Sequence, residues 1–494
     1  MELYDIAVIG GGINGAGIAR DAAGRGLKVL LVEQDDFASA TSSASTKLIH
    51  GGLRYLEYYE FRLVSESLAE REVMLRIAPH IIWPLEFVLP HERHLRPAWM
   101  IRAGLFLYDY IGGRTSLPRS RSVGLMPQGH GAGLKPEFRR GFAYYDAWVD
   151  DARLVVLTLS SARAHGASVR ARTRCTGARR EGDAWRVALR DQNRGSESAV
   201  RARILVNAAG PWVKSLLEQE LRIESPGQVR LVKGSHIVVP RIHDKRHAFI
   251  LQNPDRRVVF MIPYEREFTL IGTTDVQVAQ KDLPPAASPD EVAYLCAAAS
   301  RYSAREVTVD EVVWSYSGVR PLYDDGKEDP SAITRDYVLL LDEQGPPLLS
   351  VFGGKITTYR KLAEQVMDRL ARWIPAQRPW THAEPLPGGD FGGRDFAAVL
   401  GEFRSRYAGL DPHWLARLLR RHGTLAMKIL DDAKGDADLG EDFGGGLYER
   451  ELAYLIESEW AQTADDVLWR RTKCGLHMSA AQRRRVAERM AGAR

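Results

Sequence analysis

The 494-residue chain has no uninterrupted apolar stretch long enough to span a bilayer, so no membrane crossing is expected of it. It has only three cysteines, Cys175, Cys296 and Cys474, far apart and without a CxxC pair or a nearby histidine partner. That spacing excludes a disulfide scaffold and a zinc ribbon and points to reduced thiols. Excess charge is small: 68 Lys and Arg against 63 Asp and Glu leave +5, and no basic repeat interleaved with aromatics suggests nucleic acid. Metal signatures fail on inspection. His91-Glu92-Arg93-His94 lacks the HExxH spacing, and the acidic stretch Asp431 to Asp442 puts Glu441 where a calcium loop needs glycine. Asp465 and Asp466 are adjacent and would diverge on a helix, so no carboxylate pair and no metal is expected. Glu2 and Asp5 stand where an export signal needs cations, which favours a cytoplasmic location.

What is present begins at once. Tyr4-Asp5-Ile6-Ala7-Val8-Ile9 runs into Gly10-Gly11-Gly12-Ile13-Asn14-Gly15, and Glu33 ends the next apolar run, Lys28 to Val32. Glycine lets the chain turn sharply at Gly10, approach a pyrophosphate at Gly12 and pack helix on strand at Gly15. The helix N-terminus is then aimed at phosphates, and Glu33 falls where such a βαβ unit delivers a carboxylate to a ribose hydroxyl. A solvated strand end is the plainer reading of Glu33. The turn alone does not choose between NAD and FAD.

Further along, Thr41 to Lys47 is a Ser/Thr-rich loop leading to Leu48-Ile49-His50-Gly51-Gly52-Leu53-Arg54-Tyr55. Glu60 to Arg76 has helical spacing, and Val169 to Val206 reads as an antiparallel meander ending in Asn207-Ala208-Ala209-Gly210-Pro211-Trp212. Residues 229 to 275 read as strands of a separate substrate sheet. Leu348 to Phe352 predicts a strand entering Gly353-Gly354-Lys355 and then a helix from Ile356 to about Trp373. Pro375 to Gly393 is a Pro/Gly-rich linker, and residues 395 to 494 look mainly helical.

These signatures resemble the FAD-dependent glycerol-3-phosphate dehydrogenase family of bacterial, aerobic type. The resemblance runs through GGGINGAGIARDAAGRGL at 10 to 27, TSSASTKLIHGGLRYLE at 41 to 57, NAAGPWV at 207 to 213, KGSHIVVPR at 233 to 241, IGTTDV at 271 to 276, YSGVRPL at 316 to 322, TRDY at 334 to 337, FGGKITTYRKLAE at 352 to 364 and TADDVLWRRTK at 463 to 473. It implies a mixed α/β and α+β protein with a Rossmann-like FAD-binding domain of the glutathione-reductase and amine-oxidase kind. That domain would be discontinuous, over 1–85, 140–215 and 345–380. A domain with an antiparallel sheet, 86–139 and 216–344, would bind substrate and face the membrane, and 385–494 would form a helical C-terminal domain. The implied reaction is oxidation of sn-glycerol 3-phosphate to dihydroxyacetone phosphate, with electrons passing from FAD to a membrane quinone. For FAD the resemblance points to Gly10, Gly12, Asn14, Gly15, Glu33, Thr41, Ser42, Ser45, Lys47, Leu48, Ala209, Gly210, Gly353, Gly354, Lys355 and Thr357.

Such chemistry needs cations for a phosphate dianion, a base for the C2 hydroxyl and a flavin placed to take the C2 hydride. Arg54, Arg320 and Arg335 are the phosphate candidates, because guanidinium forks bind phosphate oxygens in pairs, and Tyr55 can add a hydroxyl. Thr274 and Asp275 are expected at the same cavity, although Asp275 could simply cap a turn. For the base, His50 and His236 compete, with His50 favoured because Gly51 and Gly52 leave room for close approach. Lys355 would contact substrate or stabilise the developing alkoxide. The Gly353-Gly354 turn would aim the first amides of its helix at the flavin pyrimidine edge, or be a plain capped turn.

A quinone acceptor requires the bilayer, and Arg93 to Arg121 is the best candidate for contact. It mixes six arginines with Trp99-Met100-Ile101 and Leu105-Phe106-Leu107-Tyr108. A buried helix with an arginine rim is the alternative. Together these expectations place the chain peripherally on the cytoplasmic membrane surface, with a homodimer left open. The rivals are a glycerol-3-phosphate oxidase using oxygen, an amine or 2-hydroxy-acid oxidase on this fold, and a binding protein without redox chemistry.

Overall fold

The opening segment forms a strand β1 (Leu3–Ile9), a helix α1 (Ile13–Gly24) and a strand β2 (Val29–Val32). The computed structural model describes residues 1–92, 95–324, 336–375 and 378–492. β1 and β2 pair in parallel, Ile6 opposite Val29, and Ile6-Ala7-Val8 of β1 is buried on both faces, as an internal parallel strand requires. The eight-stranded first sheet continues in the order Val338–Asp342, Leu348–Phe352, Glu197–Asn207, β1, β2 and Ser168–Arg170. Thr173–Glu181 and Ala184–Asp191 join it antiparallel as the expected meander. The helix α2 (Phe61–Ile77) follows the predicted spacing. On one face of the sheet α1 packs against α4 (Asp151–Ala164) and Tyr359–Arg369 around Val8, Ile18, Leu31, Leu157 and Leu362. On the other, Tyr4, Ala7, Trp185 and Leu205 share a second core.

The second sheet has ten strands. Its spine is Gln228–Pro240 paired antiparallel with Trp314–Asp324, in unbroken register from Gln228 opposite Asp324 to Val238 opposite Trp314. His236 faces Tyr316 on one neighbour and Gly272 on the other, and Gly272 in turn faces Phe260. The period of two puts Gly234 and His236 on the same face as Tyr316, Gly318 and Arg320. One pair departs from the antiparallel expectation: Ala248–Gln252 runs parallel to Ile82–Pro90. Two strands also sit across the expected boundaries. Arg140–Val149 pairs with Ile82–Pro90 in the second sheet, and Val338–Asp342 pairs with Leu348–Phe352 in the first. Alternation identifies a strand, but its partner is chosen by tertiary packing.

The C-terminal unit holds helices Phe396–Arg406, Pro412–His422, Glu449–Glu459 and Ala480–Gly492 and a small hairpin of Asp442–Gly444 with Leu447–Tyr448. Asp395 and Asp411 start the first two by accepting from the amides of Ala398 (2.8 Å) and Trp414 (2.6 Å). It has cores of its own, around Phe403 and Leu418 and around Leu455 and Val467. Buried ion pairs join it to the first sheet's layer, Arg153 of α4 with Glu459 and Arg471 with Asp36. Removing one partner of such a pair costs about 3–5 kcal/mol, because the other charge is stranded. Among the described residues no helix is long and apolar enough to cross a membrane.

Candidate active site

A cavity of about 510 Å³ lies between the two sheets. Its wall carries Gly10, Gly12, Asn14, Glu33, Ala209 and Gly210 from the first-sheet side, Thr41, Ser42 and Ser45 from the loop that follows, and Leu48 from an edge strand of the second sheet. Gly10 has φ +117°, and a β-carbon there would lie 2.4 Å from the Ala208 carbonyl oxygen, so only glycine fits. Gly15 is not on the wall. It lets α1 pack on β1, since its β-carbon would be 2.0 Å from the Gly10 carbonyl oxygen. The Glu33 carboxylate accepts from the amides of Gly11 (2.7 Å) and Asp35 (2.9 Å). Burial raises its pKa, against the lowering pull of those two amides. Ser42 Oγ accepts from the Ile13 amide at 3.0 Å, and Thr41 donates to the Val319 carbonyl at 2.8 Å.

These residues fit a flavin dinucleotide. The side-chain amide of Asn14 donates to the Gly353 carbonyl at 3.0 Å, while its Oδ1 is buried with no partner among the described residues. An orphaned acceptor costs free energy until a ligand donor meets it. Gly353 and Gly354, both at positive φ, and Thr357 line the same cavity ahead of the Tyr359–Arg369 helix.

The rest of the wall supplies ionisable groups, from the second sheet and from Lys355 just past the first-sheet strand Leu348–Phe352. His50 stands half-buried on the wall, and its amide donates to Thr357 Oγ1 at 3.4 Å. The next amide, Gly51, donates to the Tyr108 hydroxyl at 2.8 Å, and that hydroxyl donates to Asp146, itself held by Arg71 at 2.8 Å. Lys355 Nζ is buried without a hydrogen-bond partner among the described residues and lies 3.9 Å from the centroid of the Tyr55 ring. Burial, and then the Lys355 charge, hold His50 down to about 4. His236 is packed more tightly. Its Nε2 meets Thr46 Oγ1 at 3.0 Å and its ring stacks on Tyr316 with centroids 4.9 Å apart, leaving Nδ1 unpartnered among the described residues. Burial, Lys47 and Arg320 lower it to about 3. The ring fits because residue 272 is glycine, whose β-carbon would lie 2.0 Å from His236 Cδ2. Arg320 reaches the wall over Gly234, pairs with Asp275 at 2.7 Å and donates to the Thr274 carbonyl at 3.1 Å.

Several expected contacts stand elsewhere. Lys47 lies behind the wall formed by Thr46 and Leu48, in a buried ion pair with Asp151 at 2.7 Å. Thr274 is buried too: its hydroxyl donates to Glu291 at 2.7 Å and accepts from the Ser235 amide, so Thr273 is the residue on the wall. Arg54 is half-buried on the turn Leu53–Tyr58, off the wall and without an ion pair among the described residues. Arg335 lies outside the described residues. The wall also includes Phe260, Gln219 and Glu220, none of them expected. Alternation in Val258–Tyr264 could have flagged Phe260, whereas the helical turn Leu216–Leu221 carries no motif.

A βαβ glycine turn with an acidic residue at the second strand, under a sheet that closes over the cavity, defines an FAD-dependent oxidoreductase. The FAD dependent oxidoreductase family matches residues 5–360, and the C-terminal domain of alpha-glycerophosphate oxidase matches 379–493. A glycerol-3-phosphate dehydrogenase of Pseudomonas aeruginosa is 54% identical over 490 residues, 99% of this chain and 95% of that one. D-erythritol 1-phosphate dehydrogenase of Brucella abortus is 49% identical over 494 residues, covering 99% and 97%. The solved glycerol-3-phosphate dehydrogenase of Bacillus halodurans complexed with FAD aligns at TM-score 0.76 and 27% identity, over 99% of this chain and 94% of that one. The chain belongs to the FAD-dependent glycerol-3-phosphate dehydrogenase family, and FAD is its cofactor.

Proposed function

We propose that this cavity oxidises sn-glycerol 3-phosphate to dihydroxyacetone phosphate and that the electrons leave to a membrane quinone. The observation that carries the reading is Lys355, a buried cation with no anionic partner among the described residues, set against His50 in a flavin cavity. A buried unpaired ammonium is costly until a substrate oxygen or phosphate meets it. Arg320 supplies a fork for the phosphate, which competes for it with Asp275, half-exposed and therefore easily displaced. Tyr55, on the same wall, adds a hydroxyl. His50, neutral at physiological pH, takes the C2 hydroxyl proton, while Lys355 stabilises the negative charge developing on that oxygen. His236, already committed to Thr46, orients this wall. When bound, FAD supplies the hydride acceptor for C2, held by Gly10, Gly12, Asn14, Glu33 and the Gly353-Gly354 turn.

The acceptor reading rests on the helix α3 (Ala98–Ile111), which buries only Leu105 and Tyr108. It exposes Trp99, Met100, Phe106, Leu107 and Tyr110, near Tyr58, Tyr59 and Phe61, which are also exposed. Arg119 lies over the Tyr110 ring at 4.6 Å, and Arg102, on the helix itself, donates to Ser120 Oγ at 2.8 Å. Apolar exposure on this scale beside cations suits the interface of an anionic bilayer, at the cytoplasmic membrane.

The decisive experiment adds glycerol 3-phosphate anaerobically to the purified flavoprotein. Bleaching of the flavin absorbance is expected, faster than with erythritol 1-phosphate, and an unchanged spectrum overturns the reading. In steady state, hydrogen peroxide formed in step with turnover would instead make the chain an oxidase. Phe106→Glu should reduce cosedimentation with anionic vesicles, and equal sedimentation of the variant would remove α3 as the contact.

A further inference from the structure

The cofactor cavity has two loop rims, Glu33 to Asp35 and Thr41 to Thr46; one stretch of the C-terminal unit grips the first from outside at Asp36 and Arg172, and reaches the second through Asp150 and its neighbour Asp151. On the first rim, the buried carboxylate of Asp36 accepts from Arg470 Nε at 2.5 Å and from Arg471 Nη1 and Nη2 at 2.6 and 2.8 Å. Arg471 is fixed in turn by the Glu459 carbonyl at 2.7 Å. The same rim is held from below: the amide of Arg172 donates to the Asp35 carbonyl at 3.0 Å and that of Thr173 to the Glu33 carbonyl at 2.7 Å. The Arg172 guanidinium then donates to Asp466 at 2.9 Å. Asp466 is itself oriented by the amides of Gln462 (2.8 Å) and Thr463 (3.0 Å). On the second rim, Lys473 Nζ pairs with Asp150 at 3.4 Å. The adjacent Asp151 accepts from the Ser45 hydroxyl at 2.8 Å and from Lys47 at 2.7 Å.

We propose that Asp466 to Lys473 is a positioning clasp for FAD, holding both rims of the cavity in their binding geometry. A loop outside the strand ends gains little order from the sheet, and ordering it at the moment of binding would be charged against affinity. Buried, oriented charge pairs do that ordering in advance. Their placement separates a clasp from simple cement. The contact of Arg163 with the Ser458 carbonyl, 2.7 Å, also joins the two units, but on α4, away from the cavity wall. The grips from Arg470, Arg471 and Asp466 instead end on Asp36 and on Arg172, next to wall residues Asp35 and Thr173. By linkage the coupling runs both ways, so bound FAD must also hold the C-terminal unit more firmly against the rims.

The test uses the full-length holoprotein and measures FAD release by the return of free-flavin fluorescence after dilution, alongside thermal unfolding of holo and apo forms. Asp36→Asn should speed release by about tenfold or more, because a slack rim no longer holds the binding geometry; the factor is what roughly one charge-assisted hydrogen bond is worth. Arg172→Ala should speed it by a smaller factor, and Arg163→Ala should leave it at the wild-type rate. Release at the wild-type rate in both rim variants, with holo and apo melting lowered equally, overturns the proposal and leaves only a structural joint. Should Asp36→Asn fail to fold, Arg172→Ala, whose side chain is only partly buried, decides alone: unchanged release overturns the clasp. Limited proteolysis gives the reciprocal reading. Cleavage within 379–492 should slow when FAD is added to apoprotein, and equal rates contradict the coupling.

Discussion

On the dinucleotide side of the cavity, Gly10, Gly12, Asn14 and Glu33 come from one βαβ unit, and their geometry is made by backbone turns and amide hydrogen bonds. The ionisable groups His50, His236, Arg320 and Lys355 instead come from four separate stretches, and cross-strand register and burial decide what each can do. The first side is local and pre-shaped, with its Glu33 carboxylate already held by the Gly11 and Asp35 amides. The second is charged and incompletely paired, with an unpartnered Lys355 Nζ among the described residues and an Arg320 whose partner Asp275 is half-exposed. A cofactor kept through every turnover can be held by backbone shape, whereas on the proposed function a substrate that must come and go is met by side-chain charges left unsatisfied until it arrives.

Three substitutions break or sharpen this contrast, from the largest effect down. Gly10→Ala places a β-carbon 2.4 Å from the Ala208 carbonyl oxygen at φ +117°, so the variant should purify without flavin absorbance. A yellow Gly10→Ala protein would show that backbone shape is not what holds the cofactor. His50→Asn should retain FAD but slow flavin reduction in single turnover by about 10²–10⁴-fold, the usual share of a general base. Normal reduction would move the base to His236. The pH profile adds a sign. With neutral His50 as the proposed proton acceptor, reduction should fall as pH drops through about 4. Its depressed value also means that the unfolded chain binds the proton first. Stability from this group is therefore present above 6.5 and lost as pH falls towards about 4, which urea titrations across that window can measure. Arg320→Ala should raise KM for glycerol 3-phosphate by about 10- to 100-fold with the flavin spectrum unchanged, in line with losing charged hydrogen bonds. An unaltered KM would leave the phosphate to Arg54 and Arg335.

The legibility of the chain divides along the same line. β1, α1, β2 and Glu33 could be read directly because a glycine turn, an apolar run and a strand-end acid are adjacent in sequence. The 60–76 helix and the meander were equally plain from their periodicity. Lys47 and Thr274 were not, since both stand in matched stretches yet turn away to buried Asp151 and Glu291. No spacing announces those partners. The strand at Arg140–Val149 was recognisable as a strand, but its place in the second sheet depended on Ile82–Pro90. Phe260 lay in an ordinary alternating strand and became a wall residue only because its neighbour Gly272 lies opposite His236.

The amino-acid sequence alone carries the glycine turn, the acid that ends the second strand, the succession of strand and helix, and the family. These depend on φ/ψ preferences and on periodicities of a few residues, which are properties of the local chain. It took the folded chain to show which imidazole is the less tightly packed at the cavity, which lysine has no hydrogen-bond partner among the described residues and how the C-terminal unit meets Asp36 beside the cavity. Those outcomes depend on burial and on charges distant in sequence, where desolvation and pairing compete, and that balance exists only once the chain has closed on itself.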